Sequence, residues 1–218
     1  MKKNSNTEGN FLDRSRIALT NAQSDETTKA LFAKYGYNDE KFAEGWKFFN
    51  NANDAIILSK TEKSEENISA LDYKTDFTNF IETFKEHRDK TRILCKKQPE
   101  VLIALGITGA FPVKNADLFS KSKLYYQKIK DDTEIQAKLA LLNITPEVAD
   151  ATLAKRDVVL KKRSVYYKES GESEEATKLK AIALLELKEW IEDFDIIAKI
   201  ALYNQPQLLE SLGIFVRS

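Results

Sequence analysis

Sliding the 218-residue chain along itself by 107 positions brings its two halves into register without a net gap. Gln98, Pro99, Leu102, Leu105, Gly106 and Ile107 then lie over Gln205, Pro206, Leu209, Leu212, Gly213 and Ile214, six identities in a window of ten. The same offset lays residues 11–19 over 118–126, with Arg14-Ser15-Arg16 above Lys121-Ser122-Lys123, and residues 35–40 over 142–147. Any two helical stretches rich in Leu, Lys and Glu look alike. A shared Gln-Pro and a shared Leu-Gly-Ile at one offset are a stronger signal, and they indicate an internal duplication. Each copy exceeds the usual solenoid repeat and there are only two, so a pseudo-two-fold bundle is favoured over an open array.

Within each half, punctuation sets the elements. A first helix is expected near 10–22 and 115–129, and a second near 25–35 and 131–142, opening at Asp25 and Asp132. The second stops at Gly36 and Asn143, the two residue types best suited to the left-handed position after a helix. Asn38 and Thr145 are N-cap residues for a third helix, and Pro146 occupies the first helical position, where a missing N–H does no harm. A fourth is expected from Ser64 and Ser173, each followed by two glutamates that suit a positive helix end. It runs to Gln98 and Gln205, before Pro99 and Pro206; a short apolar turn then ends at Gly106 and Gly213. Residues 1–9 are polar and aperiodic, which predicts a mobile tail.

Apolar spacing predicts the core faces. Tyr73, Phe77, Phe80, Phe84, His87, Thr91 and Leu94 follow the 3–4 spacing of one helical stripe, as do Leu184, Leu187, Ile191, Phe194, Ala198 and Ala201. The third helices answer with Phe42, Trp46, Phe49, Asn53 and Ile56, and with Ala149, Leu153, Arg156, Leu160 and Arg163. No alternating strand pattern bounded by turns occurs. The expected fold is all-α: an antiparallel bundle of four long helices built from two pseudo-equivalent halves, about 10–109 and 117–218, in one domain with shorter flanking helices.

Composition narrows the function classes. Thirty-four Lys/Arg balance thirty-four Asp/Glu, which removes the usual electrostatic signature of a nucleic-acid or membrane-surface binder. Basic clusters at 155–168, with Tyr166 and Tyr167 among them, and at 85–97 are offset by acidic runs at 172–175 and 186–195. The single cysteine, Cys95, has no intramolecular partner, so a disulfide framework is excluded and a reducing, cytoplasmic setting is expected. No apolar run approaches the roughly 20 residues needed to cross a bilayer.

The closing stretch Gln205-Pro206-Gln207-Leu208-Leu209-Glu210-Ser211-Leu212-Gly213 resembles the end of an uncharacterised bacterial family of duplicated helical-bundle proteins with a Pro-Gln-Leu-Leu-Glu-x-Leu-Gly motif. The likeness covers this tail. It implies a helical bundle and carries no activity with it.

No reaction centre is legible. A ferritin-like di-iron site needs Glu-x-x-His pairs, but the only histidine, His87, has Phe84 three residues before it, and no metal site or cofactor is expected. Cys95 reads as a packed hydrophobe, and neither a phosphate loop nor a nucleophile elbow is present. The anomaly lies in the stripes: His87, Arg88 and Thr91 stand opposite Phe194, Asp195 and Ala198 at the 107 offset, while Arg156 and Arg163 stand opposite Phe49 and Ile56, and Asn53 opposite Leu160. A charge left buried and unpaired costs several kcal/mol. Each arginine therefore reaches solvent along its stem, pairs internally, for instance with Asp193 or Asp195, or lines a pocket. The candidate ligand-binding set for an anionic or polar molecule is His87, Arg88, Asn53, Arg156 and Arg163. The leading expectation remains a non-catalytic bundle that binds a protein partner or itself. Pseudo-symmetry allows an isologous homodimer without requiring one.

Overall fold

The computed structural model describes residues 7–215 and is helical throughout, with no strand among those residues. The order is α1 (Glu8–Asn21), α2 (Glu26–Ala33), α3 (Asp39–Leu94), α4 (Pro99–Ala104), α5 (Asn115–Asp131), α6 (Thr133–Ala140), α7 (Pro146–Ala201) and α8 (Gln207–Ser211). The starts of α5, α6 and α7 fall 107 residues after those of α1, α2 and α3, and the ends of α6 and α7 keep the same interval.

Local signals account for most boundaries. Asp25 accepts from the Thr28 N–H, and Asp132 from those of Glu134 and Ile135. Asn38 caps α3 by accepting from the Lys41 N–H (3.0 Å), and Thr145 caps α7 through Val148. Gly36 (φ +87°) and Asn143 (φ +58°) take the left-handed conformation after α2 and α6, which satisfies carbonyls that the last helical turn leaves open. At the N-terminus the expected tail is shortened. Thr7 accepts from the Asn10 N–H and α1 opens at Glu8, so residues 8 and 9 are helical; residues 1–6 lie outside the described part.

The expected break before Ser64 and Ser173 does not occur. The third and fourth helices of each half are one 56-residue helix, roughly 84 Å long at 1.5 Å per residue. Ser-Glu-Glu is a start signal only where something else ends the preceding helix. Neither glycine nor proline lies between Gly45 and Pro99; in α7, Gly171 precedes Ser173 and costs about 1 kcal/mol against alanine without ending the helix. Four separate long helices are therefore replaced by two.

The chain divides into two compact units: unit 1, residues 1–64 and 171–218, and unit 2, residues 65–170. These are not the sequence halves, because each long helix contributes to both units. Unit 1 holds α1, α2, the first part of α3, the last part of α7, and α8. Its core gathers Leu19, Phe32, Tyr37, Phe42, Leu187, Trp190, Phe194 and Leu212. Numbers rise along α3 as they fall along α7, Phe42 meeting Phe194 and Gly45 meeting Trp190, so the two segments run antiparallel. Gly45 is required here: a Cβ would fall 2.6 Å from the Trp190 ring and 2.8 Å from Leu19.

Unit 2 holds α5, α6, the first part of α7, the last part of α3, and α4. Phe84, Cys95, Leu105, Leu118, Tyr125, Tyr126, Ile129 and Leu139 form its main core. Phe80, Phe119 and Val159 make a smaller cluster, beside which Tyr73 stacks on Tyr166. Cys95 is fully packed, as its apolar setting predicts, and burial pushes its thiol up. Leu94, expected inward, is 40% exposed. The last turn of α3 instead gives the core position to Cys95.

Candidate functional site

His87, Arg88, Arg156 and Arg163 belong to unit 2, and Asn53 to unit 1. The five expected ligand-binding residues thus do not form one cluster within either unit. Asn53 is half-buried and donates to its neighbour Asp54.

In unit 2, His87, Arg88 and Arg156 find polar partners close by. The His87 Nδ1 and the Tyr126 hydroxyl share a 2.9 Å hydrogen bond, and Tyr126 is fully buried. One turn on, Thr91 donates to the His87 carbonyl (2.8 Å) and lies 2.7 Å from the Tyr125 hydroxyl. Burial holds the imidazole below its ordinary pKa, opposed by Glu86 and reinforced by Lys90 and Lys155. Burial likewise pushes both tyrosines far up. The network is a neutral, proton-holding core.

Arg88 is 4% exposed. Its guanidinium donates to the Gly109 carbonyl and to Asp89, and sits 5.7 Å over the Phe111 ring. Phe111 in turn contacts Phe84. Arg88 therefore clamps the segment joining α4 to α5. Arg156 donates to the Phe119 carbonyl (3.1 Å) and to Asp157, with its guanidinium 5.9 Å over Phe119. Arg163 lies over Tyr167, its Nε buried without a partner. The acid suggested as an internal partner, Asp195, pairs with Arg14 in unit 1. For Arg88 and Arg156, a backbone carbonyl, an aromatic face and the adjacent aspartate take the role expected of a ligand or of Asp193 or Asp195. These groups are backbone and tertiary, so spacing along one helix could not name them.

Concave surface of a different kind lies in unit 1. Between α1 and the last part of α7 runs a groove of about 940 Å³. Phe11, Ile17, Leu184, Leu185 and Ile191 provide its apolar walls, with Phe215 at one side. The acids on its rim are ion-paired: Asp195 with Arg14, Asp13 with Arg16, Glu192 with Lys188 and Glu8 with Lys180. Nearby, burial and the charges of Asp193, Glu44 and Asp195 push the Tyr37 phenol up to about 12.

Sequence reasoning passed over this region because it looked for polar residues at apolar positions. The converse signal was available. Leu179, Ile182 and Leu185 stand opposite Asp72, Thr75 and Thr78 at the 107 offset, large aliphatics where the residue 107 positions earlier is polar. All three are exposed, at 46–56%. Among the described residues, no helix is long and apolar enough to cross a membrane. No family model, no curated protein and no solved structure matches the chain.

Proposed function

We propose that this chain is a duplicated, non-catalytic helical protein that acts by presenting helix faces to protein partners. Support for the duplication comes from helix boundaries that repeat at the same 107-residue interval as the sequence signal. In this reading the units are helical bundles of one plan, exchanging halves of their long helices, and the closing Pro-Gln-Leu-Leu-Glu-Ser-Leu-Gly stretch marks a family of such chains.

One observation carries the functional reading. The last part of α7 leaves Leu179, Ile182, Leu185, Ile196 and Ile200 between 46 and 57% exposed. Their counterparts on α3 are Asp72, Thr75, Thr78, Asp89 and Ile93. The same helix is built elsewhere in the chain with polar residues at four of these five places, so helix formation does not demand aliphatics there. Leu179, Ile182 and Leu185 follow one another at three-residue steps, and a patch of exposed apolar side chains is the usual mark of an interaction surface.

A photo-crosslinking side chain placed at 182, and separately at 75, in the full chain tests this in cells of the source organism. Crosslinks to a discrete protein, or to a second copy, from 182 but not from 75 support the reading. Equal, diffuse labelling from both sites, with a 24.9 kDa monomer by light scattering, overturns it.

A further inference from the structure

The middle of α7 is secured differently from its two ends. From Ala183 onward the helix buries Leu187, Trp190, Ile191, Phe194 and Ala198, and in its first part Ala149, Thr152 and Val159. Between Val159 and Ala183 the buried residues are Ser173 and Ala176, each with a single side-chain carbon. No residue of 161–182 belongs to the hydrophobic clusters of either unit. Lys162 pairs with Asp72 and Asp76, and Arg163 lies over Tyr167, both toward the beginning of this stretch. With so little apolar burial, local helix propensity decides how firmly the middle of α7 is wound.

That propensity is lowest at Ser170-Gly171, where the division between the two units also falls. A Cβ added at Gly171 meets nothing within 4 Å, and the residue does not take a positive φ, so neither packing nor backbone conformation calls for glycine. Gly45, by contrast, is fixed by the Trp190 ring. Adjacent glycine and serine are a recurrent place for a helix to distort. On α3 the residue 107 positions earlier is Ser64, in a run without glycine or proline. We propose that Ser170-Gly171 is an opening point built into α7, where 168–176 unwinds and rewinds while both hydrophobic cores stay closed and α3 stays helical. Local opening draws on stretches with few buried apolar contacts, and it costs far less than global unfolding. Unwinding here makes α7 two shorter helices, one for each core, so a disturbance at one end is not carried to the other through α7. The inference does not depend on the partner-binding reading.

Hydrogen exchange of the full chain, resolved by mass spectrometry, tests the proposal. Peptides covering 168–176 should exchange at least about tenfold faster than those covering 187–194 in unit 1 or 80–91 in unit 2. Gly171→Ala, which has room for its methyl, should slow 168–176 about fivefold, the equivalent of about 1 kcal/mol of helix propensity. The core peptides should be unchanged in that variant. Ser64→Ala, at the matching place on α3, should slow 61–69 by no more than about twofold. Equal exchange along the whole of α7, or no slowing by Gly171→Ala, overturns the proposal. So does slowing that extends to 187–194 and 80–91, because 168–176 then opens only when the cores unfold. A larger effect of Ser64→Ala also overturns it, since both helices would then open together.

Discussion

Unit 1 and unit 2 fill matching positions by opposite means. Ala18, Leu19, Phe194 and Ala198 give unit 1 a dry centre; at the 107 offset stand Tyr125, Tyr126, His87 and Thr91, which give unit 2 a hydrogen-bonded one. Bulk has moved between elements as well as changed chemistry: unit 1 draws it from α7 through Phe194 and keeps Ala18 on α1 small, while unit 2 draws it from α5 through Tyr125 and Tyr126. Gly45 and Trp190 repeat the pattern against Thr152 and Thr83. What a core must conserve is total volume and polar satisfaction, not the identity of the residue that supplies them.

The largest effect is expected at Trp190, which is 4% exposed and packed on Tyr37, Phe42 and Phe194. Trp190→Ala should cost about 3–5 kcal/mol in urea-induced unfolding. A loss under about 1 kcal/mol would mean that unit 1 does not depend on this ring.

Next comes the exchange of volume. Gly45→Ala gains about 1 kcal/mol of helix propensity but drives a methyl into Trp190 and Leu19, an overpacking cost of about 1–3 kcal/mol. A small net loss is expected for Ala and a larger one for Gly45→Thr. Combining Gly45→Thr with Trp190→Thr copies the residue pair of unit 2. The double variant should lose less than the sum of its singles, with a coupling of about 0.5–3 kcal/mol; strict additivity would break the comparison.

Tyr126→Phe tests the hydrogen-bonded core of unit 2. Removing the hydroxyl leaves the His87 Nδ1 facing a hydrophobe, which should cost about 1–3 kcal/mol. The corresponding dry position, Leu19, has no polar atom to lose.

Smallest is the pH effect. Burial holds folded His87 below its ordinary value near 6.5, so below that pH the unfolded chain takes up the proton more readily. Its contribution to stability is complete above about pH 6.5, falls as pH drops through the window between the unfolded and folded values, and levels off beneath it. Hydrogen exchange should show unit 2 opening more readily than unit 1 as pH is lowered from neutral toward about 5. His87→Phe, which installs the residue of unit 1, should remove that difference; an unchanged profile would show that other groups set it.

Much of the fold was legible along the chain. The caps Asp25, Asn38, Asp132 and Thr145, the left-handed Gly36 and Asn143, and the first-position Pro146 act within a few residues of themselves, so their meaning does not wait for tertiary structure. The break expected at Ser64 and Ser173 failed for the complementary reason: a start signal inside a run of good helix formers is overridden when nothing terminates the run. At the candidate site, spacing placed Arg156 and Arg163 half-inward as they are found, but it could not supply the Phe119 carbonyl, the Gly109 carbonyl or the Phe111 ring that receive the arginines.

The amino-acid order alone determined an all-helical chain and most helix ends, because backbone hydrogen bonding and capping are satisfied locally. Only the tertiary structure decided that each long helix serves both compact units, that His87, Arg88 and Arg156 bond to neighbours within unit 2, and that the described residues of α1 and α7 shape a groove in unit 1. Those outcomes depend on contacts between residues distant in the chain, 21 to 39 positions apart in the polar network of unit 2 and as many as 181 in unit 1, where volume and charge are balanced across space.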